Sequence, residues 1–276
     1  MSSCKVIAIA NQKGGVGKTT TTANLGNGLA RNGKKVLLID LDPQGDLTTS
    51  LGFKNQDNME ITIKSLMEKV IQEKPLNERE GILNCKEGVD LVPANIELEA
   101  LEMSLVKFIN KENILKSYIN QVKADYDYIL IDCRPSLGLL TINALATANS
   151  VIVPVQAQYL PLKGMTQLIK TIDKVRMQIN PGLKIEGILL TIADMKTKLA
   201  KTTIDTLRNS YGTRIKIFNT VIPMGVKAAE STLEGKDIFT YDKRSKPAIA
   251  YEEFTREVLK NGERSKSRTP EPRWYF

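Results

Sequence analysis

The segment Lys13-Gly14-Gly15-Val16-Gly17-Lys18-Thr19-Thr20 carries the residue types and spacing that hold phosphate. Gly14, Gly15 and Gly17 let the backbone turn tightly and bring its N–H groups to phosphate oxygens. Lys18 neutralises charge at the β- and γ-phosphates of a nucleotide, and the Thr19 hydroxyl is placed to ligate Mg²⁺. A glycine-rich turn without function would not combine these glycines with Lys18 and two threonines. Three carboxylates stand where apolar runs end: Asp40, Asp42 and Asp132. Asp132 either holds the Mg²⁺ shell or caps a helix over Pro135–Ala148. Asp40 and Asp42 either serve the site or cap a turn at Pro43. The chain has no histidine, which excludes Ser-His-Asp and Cys-His catalysis, haem ligation by histidine and histidine zinc sites.

These groups need a rigid frame, and the alternation of apolar runs with helical patterns supplies one. Lys5–Ala10 reads as a short buried strand, followed by the glycine-rich turn and a helix over Lys18–Asn32 that Gly33 stops. Val36–Ile39 is a second strand ending at Asp40, and Tyr128–Ile131 another ending at Asp132. A helix over Leu137–Ala148, a strand over Ser150–Val155 and a helix over Gly164–Gln178 follow. Then come a strand at Gly187–Ile192, a helix at Leu199–Tyr211, an edge strand at Ile217–Val221 and a last helix near Ala248–Asn261. Between them, a long helix is expected near Leu98–Val122 and a short strand at Val89–Val92. Strands apolar throughout, each followed by a helix, predict an α/β fold: a twisted, mostly parallel sheet covered by helices on both faces. With no internal repeat or Pro/Gly/Ser linker, residues 1–261 are expected to form a single domain, with a polar, mobile tail at 262–276.

Composition narrows the classes further. Of the 276 residues 42% are hydrophobic and 25% charged, which is ordinary for a soluble globular chain. Cys4, Cys85 and Cys133 are scattered and form no Cys-x-x-Cys pair, so a reducing cytoplasm is expected rather than a disulfide framework. No signal peptide or membrane span is expected. The formal charge of +8 favours polyanionic partners, nucleic acid or an anionic membrane surface, or is simply a basic surface.

The loop departs from the ordinary Gly-x-x-x-x-Gly-Lys-Thr pattern. Gln12 holds the first glycine position and Lys13 the next, so there is a second lysine. In this the sequence resembles the ParA/MinD family of deviant Walker ATPases, which share a three-layer P-loop NTPase fold. The resemblance continues at Leu38-Ile39-Asp40-Leu41-Asp42-Pro43-Gln44-Gly45, at Ile129–Leu145, at Thr220-Val221-Ile222-Pro223 and at Tyr241–Lys246, covering about residues 5–260. It is strongest to the Soj-like ParA branch. The resemblance implies ATP and Mg²⁺ as cofactors, with Lys13, Gly14, Gly15, Val16, Gly17, Lys18, Thr19 and Thr20 around the phosphates and Pro223 beside the adenine. It implies Thr19, Asp40 and Asp132 as the metal's supports, and Asp42 as the residue that positions or polarises the attacking water. Lys13 would cross a dimer interface to the second subunit's nucleotide, like an arginine finger supplied in trans.

The resemblance also implies a DNA-partition ATPase: an ATP-dependent homodimer, cytoplasmic and nucleoid-associated, that binds double-stranded DNA nonspecifically. A ParB-like centromere-binding protein would release it by stimulating hydrolysis. Lys196, Lys198 and Lys227 align with basic positions that grip phosphate backbone in relatives, or they are solvated lysines. Arg134, Gln158 and Asp46 depart from the residues usual there. Arg134 would contact a partner subunit or DNA, or be neutral. The alternative is a MinD-like membrane-cycling ATPase. It needs an amphipathic C-terminal helix, against which Pro270 and Pro272 speak, while the aromatic end Trp274-Tyr275-Phe276 leaves an opening. An iron–sulfur relative would need a cysteine pair, and operator binding an N-terminal helix-turn-helix; neither is expected.

Overall fold

The computed structural model describes residues 4–85, 88–157 and 162–267. Gln158 and the aromatic end therefore lie outside the described residues. Eight strands form one sheet: β1 (Lys5–Ile9), β2 (Val36–Leu41), β3 (Leu83–Asn84), β4 (Asp90–Val92), β5 (Tyr128–Cys133), β6 (Ser150–Gln156), β7 (Lys184–Ala193) and β8 (Ile217–Pro223). Their order across the sheet is β3-β4-β2-β5-β1-β6-β7-β8, and all pairs are parallel except β3 with β4. The chain is therefore mostly parallel α/β, with β8 at the edge as its sequence suggests.

Alternation along each strand sends side chains to opposite faces. On one face Ile7, Ile9, Leu38 and Leu130 pack under α1 (Lys18–Arg31) and α11 (Lys246–Ser267), with α2 (Asp46–Ser50), α9 (Val226–Leu233) and α10 (Ile238–Asp242) beside them. On the other, Ala8, Ile39, Ile129 and Ile131 pack under α3 (Ile63–Ile71), α4 (Leu98–Leu105), α5 (Ile114–Val122), α6 (Leu139–Thr147), α7 (Leu162–Gln178) and α8 (Lys198–Tyr211). The result is three layers. α1 can lie close on the sheet because Gly26 faces Leu38 and Gly28 faces Thr255 of α11; a Cβ on Gly26 would come within 2.6 Å of Leu38 Cδ2. Gly33, at φ 74°, stops α1 as expected: its N–H bonds the Ala30 carbonyl, and the Lys34 N–H bonds that of Leu29.

The long helix expected near Leu98–Val122 is two helices, α4 and α5, separated by residues 106–113. Asn110 sits in the left-handed region, φ 55°, which Asn tolerates better than most residues. The break is held from α6: Asn143 donates to the Lys111 carbonyl (2.7 Å) and accepts from the Leu115 N–H (3.1 Å). Apolar periodicity reads straight through this segment because the partner that breaks it is 28 residues away.

Candidate functional site

Parallel strands present their carboxyl ends on one edge, and in open α/β sheets ligands bind there, where the chain's direction of winding reverses. β1 lies at that reversal, between β5 and β6. Residues 10–17 leave β1 and enter α1 at Gly17, which adopts φ 79°. Glycine offers no side chain to cap the helix, so the first-turn N–H groups face outward for an anion. Gly14 and Gly15 are exposed, and a Cβ on either would have nothing within 4 Å. That open space is what a phosphate cradle requires.

The loop is braced from below. Lys18 is buried, and its Nζ donates to the Lys13 carbonyl at 3.2 Å. Burial draws the Lys18 ammonium below its ordinary pKa, while the neighbouring carboxylates, Asp132 first and then Asp42, pull it back up. On the far side, Thr191 Oγ1 of β7 donates to the Val16 carbonyl at 2.8 Å. Next to it Ile192 has φ 51°, a real strain for a β-branched residue, at a register shift of β7 against β8. Asn11 ties the start of the loop: its Nδ2 donates to the Pro154 carbonyl (2.7 Å) and its Oδ1 accepts from the Lys13 N–H (3.0 Å).

Asp132 is the penultimate residue of β5, beneath α1. Thr19 Oγ1 donates to its Oδ2 at 2.7 Å, and Thr22 Oγ1 is 3.3 Å from Oδ1. It does not cap α6, which begins at Leu139 after Gly138. Asp40 pairs across the ladder with Asp132, and the two carboxylates are 0% and 1% exposed. Burial, with the Asp40 charge next in size, raises Asp132 well above the carboxylate range; Thr19 and Lys18 oppose. Asp40 was expected to support Thr19 and the metal. Here its Oδ2 accepts from the N–H and Oγ1 of Thr48, and its Oδ1 from the Asp42 N–H (3.2 Å). Thr19 belongs to Asp132 because β5, not β2, is the immediate neighbour of β1. Asp42 is half-buried, at the start of a turn in which its Oδ1 accepts from the Gln44 N–H (3.1 Å) and its carbonyl from the Gly45 N–H (3.0 Å). Asp46, an exposed residue just beyond, is raised by burial of its carboxyl and by the Asp42 charge.

Burial pushes Asp40 up to about 7 against the Thr48 hydrogen bonds. An unfolded aspartate titrates near 4. Between about pH 4 and 7 the native state therefore holds a proton that the unfolded chain releases, and stability falls as pH rises through that window. Asp132 acts in the same direction. In nucleotide-free protein, Asp40→Asn is expected to make this fall shallower by a few kcal/mol. Urea unfolding at pH 5 and pH 8 measures it; an unchanged difference between the two would rule Asp40 out as the titrating group.

Pro223 ends β8 beside Ala193 of β7. Lys196, Lys198 and Lys227 are all exposed: Lys196 is on the loop after β7, Lys198 opens α8 and Lys227 is in the first turn of α9, which follows β8; the ends of β7 and β8 are joined by the Met224 N–H to the Ala193 carbonyl (3.1 Å). Lys227 donates to Glu230 (2.9 Å) and lies over the Tyr241 ring. Exposed Met195, Leu199, Met224 and Val226 stand among these lysines. Arg134 is held by α4 through Glu102 and Glu99 (3.3 Å), and Glu102 also accepts from the Leu140 N–H at the start of α6 (3.2 Å). Asn11, Thr22, Thr48 and Thr191 are the site residues that sequence reasoning missed. A buried polar residue beside a loop is the sole trace of them in one sequence. Among the described residues, no group of three or more Cys, Asp or Glu side chains is gathered to hold a metal. One carboxylate and one hydroxyl fit Mg²⁺, which takes most of its ligands from phosphates and water.

A family model described as an AAA domain matches residues 4–185. The sporulation initiation inhibitor protein Soj of Bacillus subtilis is 44% identical over 94% of this chain and 99% of its own length. The chromosome partitioning protein ParA of Myxococcus xanthus is 42% identical over 93% of this chain and 88% of its own. Among solved structures, cobyrinic acid a,c-diamide synthase from Mycobacterium smegmatis, with an ATP analogue and magnesium, superposes with a TM-score of 0.81. It is 34% identical and covers 95% of this chain and 97% of that one.

Proposed function

The chain belongs to the ParA/Soj family of P-loop ATPases, and from that premise we propose that it is a DNA-partition ATPase switched by Mg²⁺-ATP. The observation that carries the reading is the Thr19–Asp132 hydrogen bond beneath an open, uncapped helix start. It puts a hydroxyl and a carboxylate together where a triphosphate's metal shell would be held.

ATP binds with its phosphates against the N–H groups of residues 14–20, and Lys18 bridges the β- and γ-phosphates. Mg²⁺, when bound, would supply charge neutralisation to the triphosphate, and Thr19 and Asp132 would hold its shell. Asp42, at the mouth, orients the attacking water and takes up its proton, and Asp40 braces the Asp42 turn from behind. Pro223 lines the adenine. Lys13 reaches the nucleotide of a second copy, so closure of the homodimer and completion of the site are one event. The closed dimer binds double-stranded DNA through Lys196, Lys198 and Lys227, which share one corner of the strand-end edge with exposed apolar side chains. A ParB-like protein stimulates hydrolysis and releases it, and cargo follows the resulting gradient on the nucleoid. The diamide synthase likeness carries over the fold and the phosphate loop, not that enzyme's substrate. Among the described residues no helix is long and apolar enough to cross a membrane.

Retention on DNA in ATP, in ADP and without nucleotide, across a salt series, tests the proposal. The expected result is retention in ATP alone, falling steeply with salt. Retention indifferent to nucleotide, or absent in ATP, would sink it.

A further inference from the structure

Sheet hydrogen bonding gives Asn11 a job that the phosphate loop's own motif does not include. In the β1–β6 ladder the Ala10 N–H donates to the Ile152 carbonyl at 3.1 Å. The next acceptor in the same register along β6 is the carbonyl of Pro154. Asn11 Nδ2 takes it, at 2.7 Å, so a side chain fills the rung and the backbone of residue 12 is released from the sheet. The other end of the same carboxamide accepts from the Lys13 N–H, closing the two-residue turn that asparagine favours. A carboxamide alone has this combination: aspartate lacks the donor, and serine is too short to span both partners. Asn11 is 6% exposed, so water competes little for either bond.

Lys13 is thereby held at both ends of its backbone, its N–H by Asn11 and its carbonyl by Lys18 Nζ. The cradle half of the loop has a different anchor, Thr191 on β7, which holds the Val16 carbonyl. Two strands thus hold two halves of one loop: β6 the lysine, β7 the cradle. We propose that Asn11 is a positioning residue for Lys13, a strut to β6 that sets the lysine's presentation for subunit closure independently of the cradle that grips the nucleotide. Ordering Lys13 before the subunits meet removes that ordering cost from assembly. The inference rests on the reading of Lys13 as the residue that reaches the second copy's nucleotide.

Four variants of the full chain test it: Asn11→Ala, Asn11→Ser, Thr191→Val and Lys13→Ala. Each is measured for binding of a fluorescent ATP analogue with Mg²⁺ at a concentration where the protein is monomeric, for ATP-dependent dimerisation by sedimentation, and for turnover. Asn11→Ala is expected to keep analogue affinity within about threefold and to lose about tenfold in dimerisation and turnover, the scale of two neutral hydrogen bonds. Asn11→Ser recovers part of the loss, because a hydroxyl keeps the turn to the Lys13 N–H. Thr191→Val shows the opposite split, with weakened analogue binding. The strut is overturned if Asn11→Ala weakens analogue binding as much as turnover, or if it assembles normally while Lys13→Ala does not. Normal assembly and turnover in Lys13→Ala would instead remove the premise about Lys13 and the strut with it.

Discussion

Asp42→Ala stops ATP turnover and leaves dimers that stay on DNA: the loss expected is about 10²–10⁴-fold, the range for a positioned acid–base group. Three features single out Asp42 among the carboxylates. Asp132 is committed to Thr19 and Thr22, and Asp40 to Thr48 and the Asp42 backbone. Asp42 alone of the three is half-buried at the strand-end edge. Removing its carboxylate removes none of the hydrogen bonds that brace the loop, which run from Asn11 to Pro154, from Lys18 to Lys13 and from Thr191 to Val16. Nucleotide binding and closure should therefore survive while the exit from the closed state is blocked. Phosphate release and sedimentation in ATP check both halves. Normal turnover would take Asp42 out of the reaction, and loss of ATP-dependent dimers would make it part of the binding site instead.

Replacing Lys196, Lys198 and Lys227 together with glutamine should flatten the salt dependence of DNA retention. Each phosphate neutralised contributes about 0.9 to the slope of log affinity against log salt, so six lysines in a dimer account for a reduction of about 5. Lys227 will contribute least, because it must first leave Glu230 and the Tyr241 ring. ATP-dependent dimerisation should persist in the triple variant, because none of these residues contacts the phosphate loop. An unchanged slope would identify them as solvated surface lysines.

Local sequence was enough to place the loop, the principal parallel strands and the end of α1, because glycine spacing and apolar runs are local signals. The short helices α2, α9 and α10 and the two-residue antiparallel β3 escaped because they are too brief for a period to register, while α3 was missed although Ile63, Leu66, Met67 and Val70 mark its buried face. The site divides in the same way. Lys18, Thr19 and Asp132 are legible as motif residues, but Thr191 reaches the loop across 175 residues and Asn11 reaches Pro154 across 143. No spacing rule encodes such pairs. Arg134 is a further case: its ion pairs with Glu99 and Glu102 on α4 are not legible from its neighbours in sequence. The strained Ile192, which adjoins Thr191, is likewise invisible until β7 is seen against its neighbours.

The central position of β1 has a consequence for how the molecule is made. Its two neighbours, β5 and β6, are encoded at 128–133 and 150–156, so β1 waits for more than a hundred further residues before it can pair on either side. Domains whose pairings are this distant fold slowly and expose apolar edges meanwhile. The anchors of the phosphate loop come later still, Pro154 and then Thr191, and α11, which seats α1, last among the described elements. A nascent chain interrupted before β7 would thus carry every residue of the nucleotide motif and no site. The loop gains both of its strand anchors only with the completed sheet.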